Sequence, residues 1–206
     1  DSNQDDFINF LNIEFGDCIE SFYALSTCNR TEVYYYGNPG TSILIAHKTL
    51  EFFGWNDSVR HGLYLLDGES AIEHMCCVAS GLDSQVLGEQ EILGQFKKSI
   101  QTYTRLGVLH GQLQDFGKEI LSIAKAARTE TKIGFNPLSV SGLSLKIVQE
   151  IFEDPTHQNL TIVGAGQMAM SVIENFYDNG IKKIHAVNRS KKFIQINDSF
   201  SLVTNN

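Results

Sequence analysis

Apolar and polar positions recur with two periods along this chain, and the change of period marks its elements. Ile19-Glu20-Ser21-Phe22-Tyr23-Ala24-Leu25 and Thr31-Glu32-Val33-Tyr34-Tyr35-Tyr36 are rich in β-branched and aromatic residues and predict two strands, the second closed by Gly37-Asn38-Pro39-Gly40. Phe7-Ile8-Asn9-Phe10-Leu11 predicts a short helix before them. Ile43, Leu44, Ala46, Leu50 and Phe53 share one side of a helix over 42–53 that stops at Gly54. Leu63-Tyr64-Leu65-Leu66 predicts a short strand. Ser70 and Glu73 have the spacing of a capping box, opening a helix whose stripe is Ile72, Met75, Cys76 and Ala79. Two glycines and short polar residues over 79–89 interrupt the helical pattern, as a pocket-lining loop or a plain helix–helix connection would. Helices are expected over 89–106 and 109–133, stopped by Gly107 and Gly134. The second carries Leu113, Phe116, Ile120, Ile123 and Ala127 at spacings of three and four. Phe135-Asn136-Pro137 breaks the pattern and predicts a boundary between domains over 1–135 and 136–206. A helix over 138–152 follows, with Leu143, Ile147 and Ile151 spaced by four.

The second half changes character. Asn159-Leu160-Thr161-Ile162-Val163 reads as a buried-type strand, followed by Gly164-Ala165-Gly166-Gln167-Met168-Ala169, a helix to about Asp178, and a strand Lys183-Ile184-His185-Ala186-Val187. This is a βαβ start with a G-x-G-x-x-A loop. The first Gly makes the turn, the second lets a pyrophosphate approach the backbone, and Ala169 permits close helix–strand packing. Helix amides complete a phosphate site, although a βαβ unit without nucleotide has the same strands. Asn188-Arg189-Ser190 ends the second strand, where NAD would call for an acidic residue; Arg and Ser suit the 2′-phosphate of NADP, so NADPH is the expected cofactor. A complete doubly wound sheet needs more strands than follow, so a Rossmann-type domain is expected to be cut short here, and residues past Ser190 carry no readable signal.

Composition narrows the class. The chain has 206 residues, 42% of them hydrophobic, enough for a real core. A net charge of -8 argues against broad nonspecific nucleic-acid binding. Lys118, Lys125, Arg128 and Lys132 nevertheless fall within a quarter of one helix's circumference, which fits a solvated face or a phosphate-backbone contact. Four cysteines lack CxxC spacing and Cys76 adjoins Cys77, so they read as reduced, intracellular thiols. No His/Cys cluster has zinc-ligand spacing, no apolar run would span a bilayer, and no signal peptide is present; a cytoplasmic protein is expected. The first residue is Asp rather than Met, so an incomplete N-terminus is expected.

The chemistry concentrates at Leu25-Ser26-Thr27-Cys28-Asn29-Arg30-Thr31-Glu32. Cys28 stands where a strand meets a turn, with a guanidinium two residues on. A neighbouring cation lowers a thiol pKa, and the thiolate is the nucleophile. A lone Cys is also commonly a small buried hydrophobe, and Arg30 could instead bind a carboxylate with its planar fork. His74, off the centre of its stripe, has a pKa range suited to proton transfer, although a structural role is as consistent with its position.

These residues resemble the glutamyl-tRNA reductase family. The similarity runs through Leu25–Tyr34, His74 with Val78-Ala79-Ser80-Gly81-Leu82-Asp83-Ser84, Val86-Leu87-Gly88-Glu89 with Ile92-Leu93-Gly94-Gln95, Arg128-Thr129-Glu130-Thr131, and Val163–Gly166 through Asn188-Arg189. The resemblance implies an α+β, ferredoxin-like catalytic domain followed by an α/β Rossmann-type NADP domain. It implies that Cys28 attacks the ester joining glutamate to tRNA(Glu), giving a thioester that NADPH reduces to glutamate-1-semialdehyde, the first step of C5 tetrapyrrole (haem) biosynthesis. Cys28 and His74 would be catalytic. Thr27, Asn29, Arg30, Ser84, Glu89 and Glu91 would bind substrate, and Gly164, Ala165, Gly166, Gln167, Met168, Ala169, Asn188, Arg189 and Ser190 the cofactor. Glu91 stands where the family commonly has Gln, and Gln167 and Ala169 where it often has Glu and Gly. The implied partners are glutamyl-tRNA(Glu), glutamate-1-semialdehyde aminomutase and, in the full-length protein, a second copy in a homodimer. The family also has a strand before the first helix, a spine helix and a C-terminal dimerisation domain, none of which is found in this sequence. Two alternatives make different predictions: an NADP-dependent dehydrogenase without covalent intermediate, and a non-catalytic nucleotide- or RNA-binding module.

Overall fold

The computed structural model describes residues 2–27, 29–38, 40–55, 61–134, 139–197 and 200–204. Cys28 and the expected boundary at Phe135-Asn136-Pro137 lie outside them. The chain divides into two compact units, residues 1–135 and 136–206.

In the first unit α1 (Ser2–Phe15) precedes a hairpin of β1 (Ile19–Ser26) and β2 (Thr31–Gly37), followed by α2 (Thr41–Phe52), α3 (Gly68–Ser80), α4 (Glu91–Arg105) and α5 (Gly111–Glu130). The hairpin is antiparallel, with Tyr23 opposite Tyr34 and Leu25 opposite Glu32. Helix α1 is longer than the short pattern at 7–11 predicts. Phe7, Ile8, Leu11 and Phe15 recur at helical spacing and all enter the core. Phe7 also packs against Phe52 and Phe53 of the α2 end, at 5.0 and 5.1 Å between ring centroids, and each such burial contributes about 2 kcal/mol.

Several expectations are corrected here. Ser70 does not cap α3: its hydroxyl donates to the Asp67 carbonyl at 2.8 Å, and the helix already begins at Gly68. In α5 the buried line is Leu113, Gly117, Ile120 and Ala124, so Phe116 and Ile123 sit at its margins and stay exposed. Gly117 allows α4 this close, since a Cβ there would lie 2.9 Å from Ile100 Cδ1. Leu63–Leu66 forms no strand, and lines a cavity of about 160 Å³ together with Thr31–Tyr35 of β2. The described residues of the first unit therefore form a two-stranded sheet with helices rather than a complete ferredoxin-like sheet.

In the second unit α6 (Val140–Ile151) leads to β3 (Asn159–Val163), α7 (Gln167–Asp178), β4 (Lys183–Val187), β5 (Phe193–Asn197) and β6 (Phe200–Val203). β3 and β4 pair in parallel, which with α7 between them makes a βαβ unit. Helix α6 buries Ser141 and Leu145, and Leu145 packs with Phe176 and Ile181; Ile147 and Ile151 of the predicted row are exposed. β3 is not the buried strand its composition predicts: Val163 is 86% exposed, because a parallel strand is buried only where elements cover both faces. Past Ser190 an antiparallel hairpin of β5 and β6 forms, where the sequence carries no readable signal.

Candidate active site

The hairpin end is built by Thr27. Its N–H donates to the Arg30 carbonyl at 2.8 Å, and its hydroxyl accepts from the Asn29 and Arg30 amides, both at 3.2 Å. Thr27 and Asn29 flank Cys28 in sequence, and Cys28 itself lies outside the described residues. The turn aims Arg30 across to the loop after α3, where the guanidinium donates to the Asp83 carboxylate at 2.8 Å and to the Asp83 carbonyl.

Behind Arg30 lies a buried carboxylate. Glu32, with 7% of its side chain exposed, shares a strand face with Tyr34. Glu32 Oε2 accepts from the Tyr34 hydroxyl. Oε1 accepts from Arg30 at 3.2 Å and from the Tyr64 hydroxyl, and lies 3.0 Å from His74 Nε2. Three donors and the nearby imidazole around one carboxylate offset the cost of burying it. Burial pulls the Arg30 guanidinium down, but the Asp83 hydrogen bond and the Glu32 charge outweigh this and hold it above its ordinary value. Burial, followed by Glu32, pushes the Tyr34 and Tyr64 phenols up, so both remain protonated donors.

His74, on α3, therefore joins the same cluster as Arg30. Ser84 is half-buried next to Asp83, and Asn29 is exposed on the turn. Glu89 closes the loop: its amide donates to the Val86 carbonyl at 3.1 Å, and its carbonyl accepts from Arg128. Arg128 also donates to the Gly88 carbonyl at 3.1 Å. Glu91 is exposed in the first turn of α4 and has no hydrogen bond to this cluster among the described residues. Arg128 is thus turned inward to hold the loop, which removes it from the basic face of α5; Lys118, paired with Asp115 at 3.1 Å, and Lys125 stay exposed on that helix, and Lys132 is exposed beyond its end at Glu130 rather than on the helix expected over 109–133. Among the described cysteines Cys18, Cys76 and Cys77 are free, and burial, then Cys77, pushes the Cys76 thiol up, away from the reactive range. Among the described residues no group of three His, Cys, Asp or Glu could hold a metal ion.

Glu32, Tyr64 and Asp83 were not singled out as site residues from sequence, and Arg128 was singled out only as part of a basic face. Glu32 was findable, as an acid on the inward face of an aromatic strand. Tyr64 and Arg128 were not, because their contacts span 32 and about 40 residues.

The second unit presents a different kind of site. Gly164, at φ +113°, leaves β3 with its amide bonded to the Val187 carbonyl at 2.7 Å, extending the ladder to the loop. The first intrahelical bond of α7 is Met170 N–H to the Gly166 carbonyl at 3.1 Å, so the amides of Gln167, Met168 and Ala169 have no partner within the helix. A Cβ at Gly164 or Gly166 would meet no protein atom within 4 Å. Open glycines beneath free helix amides suit a pyrophosphate. At the end of β4, Asn188 Nδ2 donates to the Ser190 carbonyl at 3.0 Å, and Arg189 and Ser190 are exposed.

Comparison with known proteins agrees with both units. The family described as glutamyl-tRNAGlu reductase, N-terminal domain, matches residues 2–131, and that described as shikimate / quinate 5-dehydrogenase matches residues 146–203. The chain is 41% identical over 167 residues to glutamyl-tRNA reductase of Saccharophagus degradans, covering 81% of this chain and 39% of that protein. It is 37% identical over 171 residues to that of Teredinibacter turnerae, covering 83% and 41%. The solved glutamyl-tRNA reductase from Methanopyrus kandleri superposes with a TM-score of 0.58 at 28% identity, over 90% of this chain and 44% of that one. The chain thus spans about two fifths of the curated relatives it matches. On these matches and the fold that accompanies them, the chain belongs to the glutamyl-tRNA reductase family.

Proposed function

We propose that this chain carries the acyl-transfer site, and the start of the hydride-donor site, of an NADPH-dependent reductase. It would convert glutamyl-tRNA(Glu) to glutamate-1-semialdehyde, opening tetrapyrrole biosynthesis. The observation that carries this reading is the Arg30–Glu32–His74 cluster next to Thr27 and Asn29, the sequence neighbours of Cys28. Cys28 gives its thiol proton to His74 and attacks the ester carbonyl as the thiolate; the C–O bond to the tRNA ribose breaks, and the ribose oxygen leaves with that proton returned from His74. A thioester remains on Cys28, keeping an electrophilic carbonyl and a good leaving group. Arg30 selects glutamate by binding a carboxylate, which takes the place of the Asp83 side chain, itself 55% exposed and free to swing out. Thr27 holds the turn, and Asn29, Ser84, Glu89 and Glu91 orient the substrate around it.

Gly164, Ala165, Gly166, Gln167, Met168 and Ala169 would hold the cofactor pyrophosphate, and Asn188, Arg189 and Ser190 its 2′-phosphoribose. NADPH, when bound, supplies the hydride that takes the thioester to the aldehyde. Lys118, Lys125 and Lys132 are exposed cations offered to the tRNA backbone. We extend the reading to a cytoplasmic setting, supported by the free described cysteines, and, from family membership, to a homodimer and to an aminomutase that accepts the semialdehyde.

The test uses glutamyl-tRNA labelled on glutamate, without NADPH. Label should appear on wild type, be released by hydroxylamine, and be absent from Cys28→Ala. A dehydrogenase without covalent intermediate predicts no label on either protein, together with activity that survives Cys28→Ser.

A further inference from the structure

We infer that Glu32 and Tyr64 fix the tautomer of His74, placing its proton on Nε2 and making Nδ1 the nitrogen that exchanges protons with substrate. The inference rests on the function proposed above for His74, but its geometry stands apart from it. His74 Nε2 lies between two oxygens, Glu32 Oε1 at 3.0 Å and the Tyr64 hydroxyl at 3.2 Å. The Tyr64 hydroxyl has one proton and donates it to Glu32 Oε1. Toward the imidazole, Tyr64 therefore offers only a lone pair, and the Glu32 carboxylate likewise only accepts. Two acceptors facing one ring nitrogen require that nitrogen to carry hydrogen. A neutral imidazole then has its lone pair on Nδ1, and among the described residues Nδ1 has no hydrogen-bond partner.

Four residues meet the Glu32 carboxylate directly. Arg30 faces it from the start of β2, Tyr34 from further along the same strand, Tyr64 from the segment before α3, and His74 from α3 itself; Asp83 meets the cluster only through Arg30. The ring of Tyr64 also stands edge-on to that of His74, with centroids 5.2 Å apart at 70°, and so fixes the imidazole plane. Orienting a histidine through one nitrogen so that the other reacts is the logic of carboxylate–imidazole pairs generally. Glu32 and Tyr64 are then positioning residues, and His74 is the group that touches substrate.

The test is direct. Long-range proton–nitrogen correlation spectra of the chain labelled with 15N-histidine report the protonation of each ring nitrogen, with His74→Gln used to assign the signal. The expected result above the imidazole pKa is a protonated Nε2 and an unprotonated Nδ1, favoured by at least about ten to one, the ratio one charge-assisted hydrogen bond sustains. A protonated Nδ1, or an even mixture, overturns the inference. The double variant Glu32→Gln/Tyr64→Phe should shift the population toward the ordinary mixture. If that variant does not fold, the wild-type spectrum still decides. The spectrum needs no tRNA, so it separates from the labelling experiment: label transfer with a protonated Nδ1 leaves the function standing and removes this inference. The expected tautomer without label on wild type does the reverse.

Discussion

The two candidate sites are built on opposite principles. In the first unit the chemistry is carried by side chains that hold one another, with three donors and the His74 imidazole converging on the buried Glu32 carboxylate over a large aromatic core. In the second it is carried by backbone: two open glycines and the first amides of α7, above two small apolar clusters and a strand with an exposed face. The first should therefore be damaged by removing atoms, the second by adding them. A network of buried polar groups is costly when half satisfied, whereas a backbone cradle needs only that its space stay empty.

The sharpest way to break this comparison is Glu32→Ala. It takes the acceptor from the Tyr34 and Tyr64 hydroxyls and leaves Arg30 with Asp83 alone, and should cost about 3 kcal/mol of stability, measured by chemical denaturation, and abolish label transfer. A loss under about 1 kcal/mol would mean the cluster is not coupled. Next comes a pair of glycine substitutions. At Gly88 (φ +75°) a Cβ would lie 2.2 Å from the Ile133 carbonyl, so Gly88→Ala should cost about 2 kcal/mol and loosen the loop that carries Ser84 and Glu89. Gly166→Ala meets no protein atom and should leave stability within about 1 kcal/mol while weakening NADPH binding in a fluorescence titration. Equal effects in both assays would erase the distinction between the two sites.

A smaller effect is expected at Arg189. Its replacement by Ala should lower NADPH affinity about tenfold and leave NADH affinity unchanged, the value of one charged hydrogen bond. The smallest is a surface control in the second unit. The Thr156 hydroxyl and amide, with His157, hold the Asp154 carboxyl below its ordinary value. A depressed carboxyl contributes stability above its unfolded pKa and loses it as pH falls through the folded one. Thr156→Val should return the Asp154 titration, followed by NMR, toward the usual carboxylate range, with the rest of the molecule unchanged.

Local pattern made both strands of the hairpin legible, because aromatic and β-branched runs closed by turn residues have few other solutions. The glycine loop was legible for the same reason: its turn, free amides and helix start all lie within six residues. Helix faces were harder to read. Ile147 and Ile151 obey the helical period as well as Leu145 does, and only packing of α6 on α7 decides which row is buried. Arg128 reads as one more cation on a basic face until the 81–90 loop is placed against it.

The hairpin strands and the glycine loop between β3 and α7 were thus legible in sequence alone, since each depends on neighbours a few residues apart. The Glu32 cluster was decided only by tertiary structure. It draws Arg30 and Tyr34 from beside Glu32, Tyr64 from 32 residues away and His74 from 42. No local spacing encodes such a meeting; it exists because the packed core brings the hairpin, the segment before α3 and α3 itself to one point, where a buried charge must find its donors.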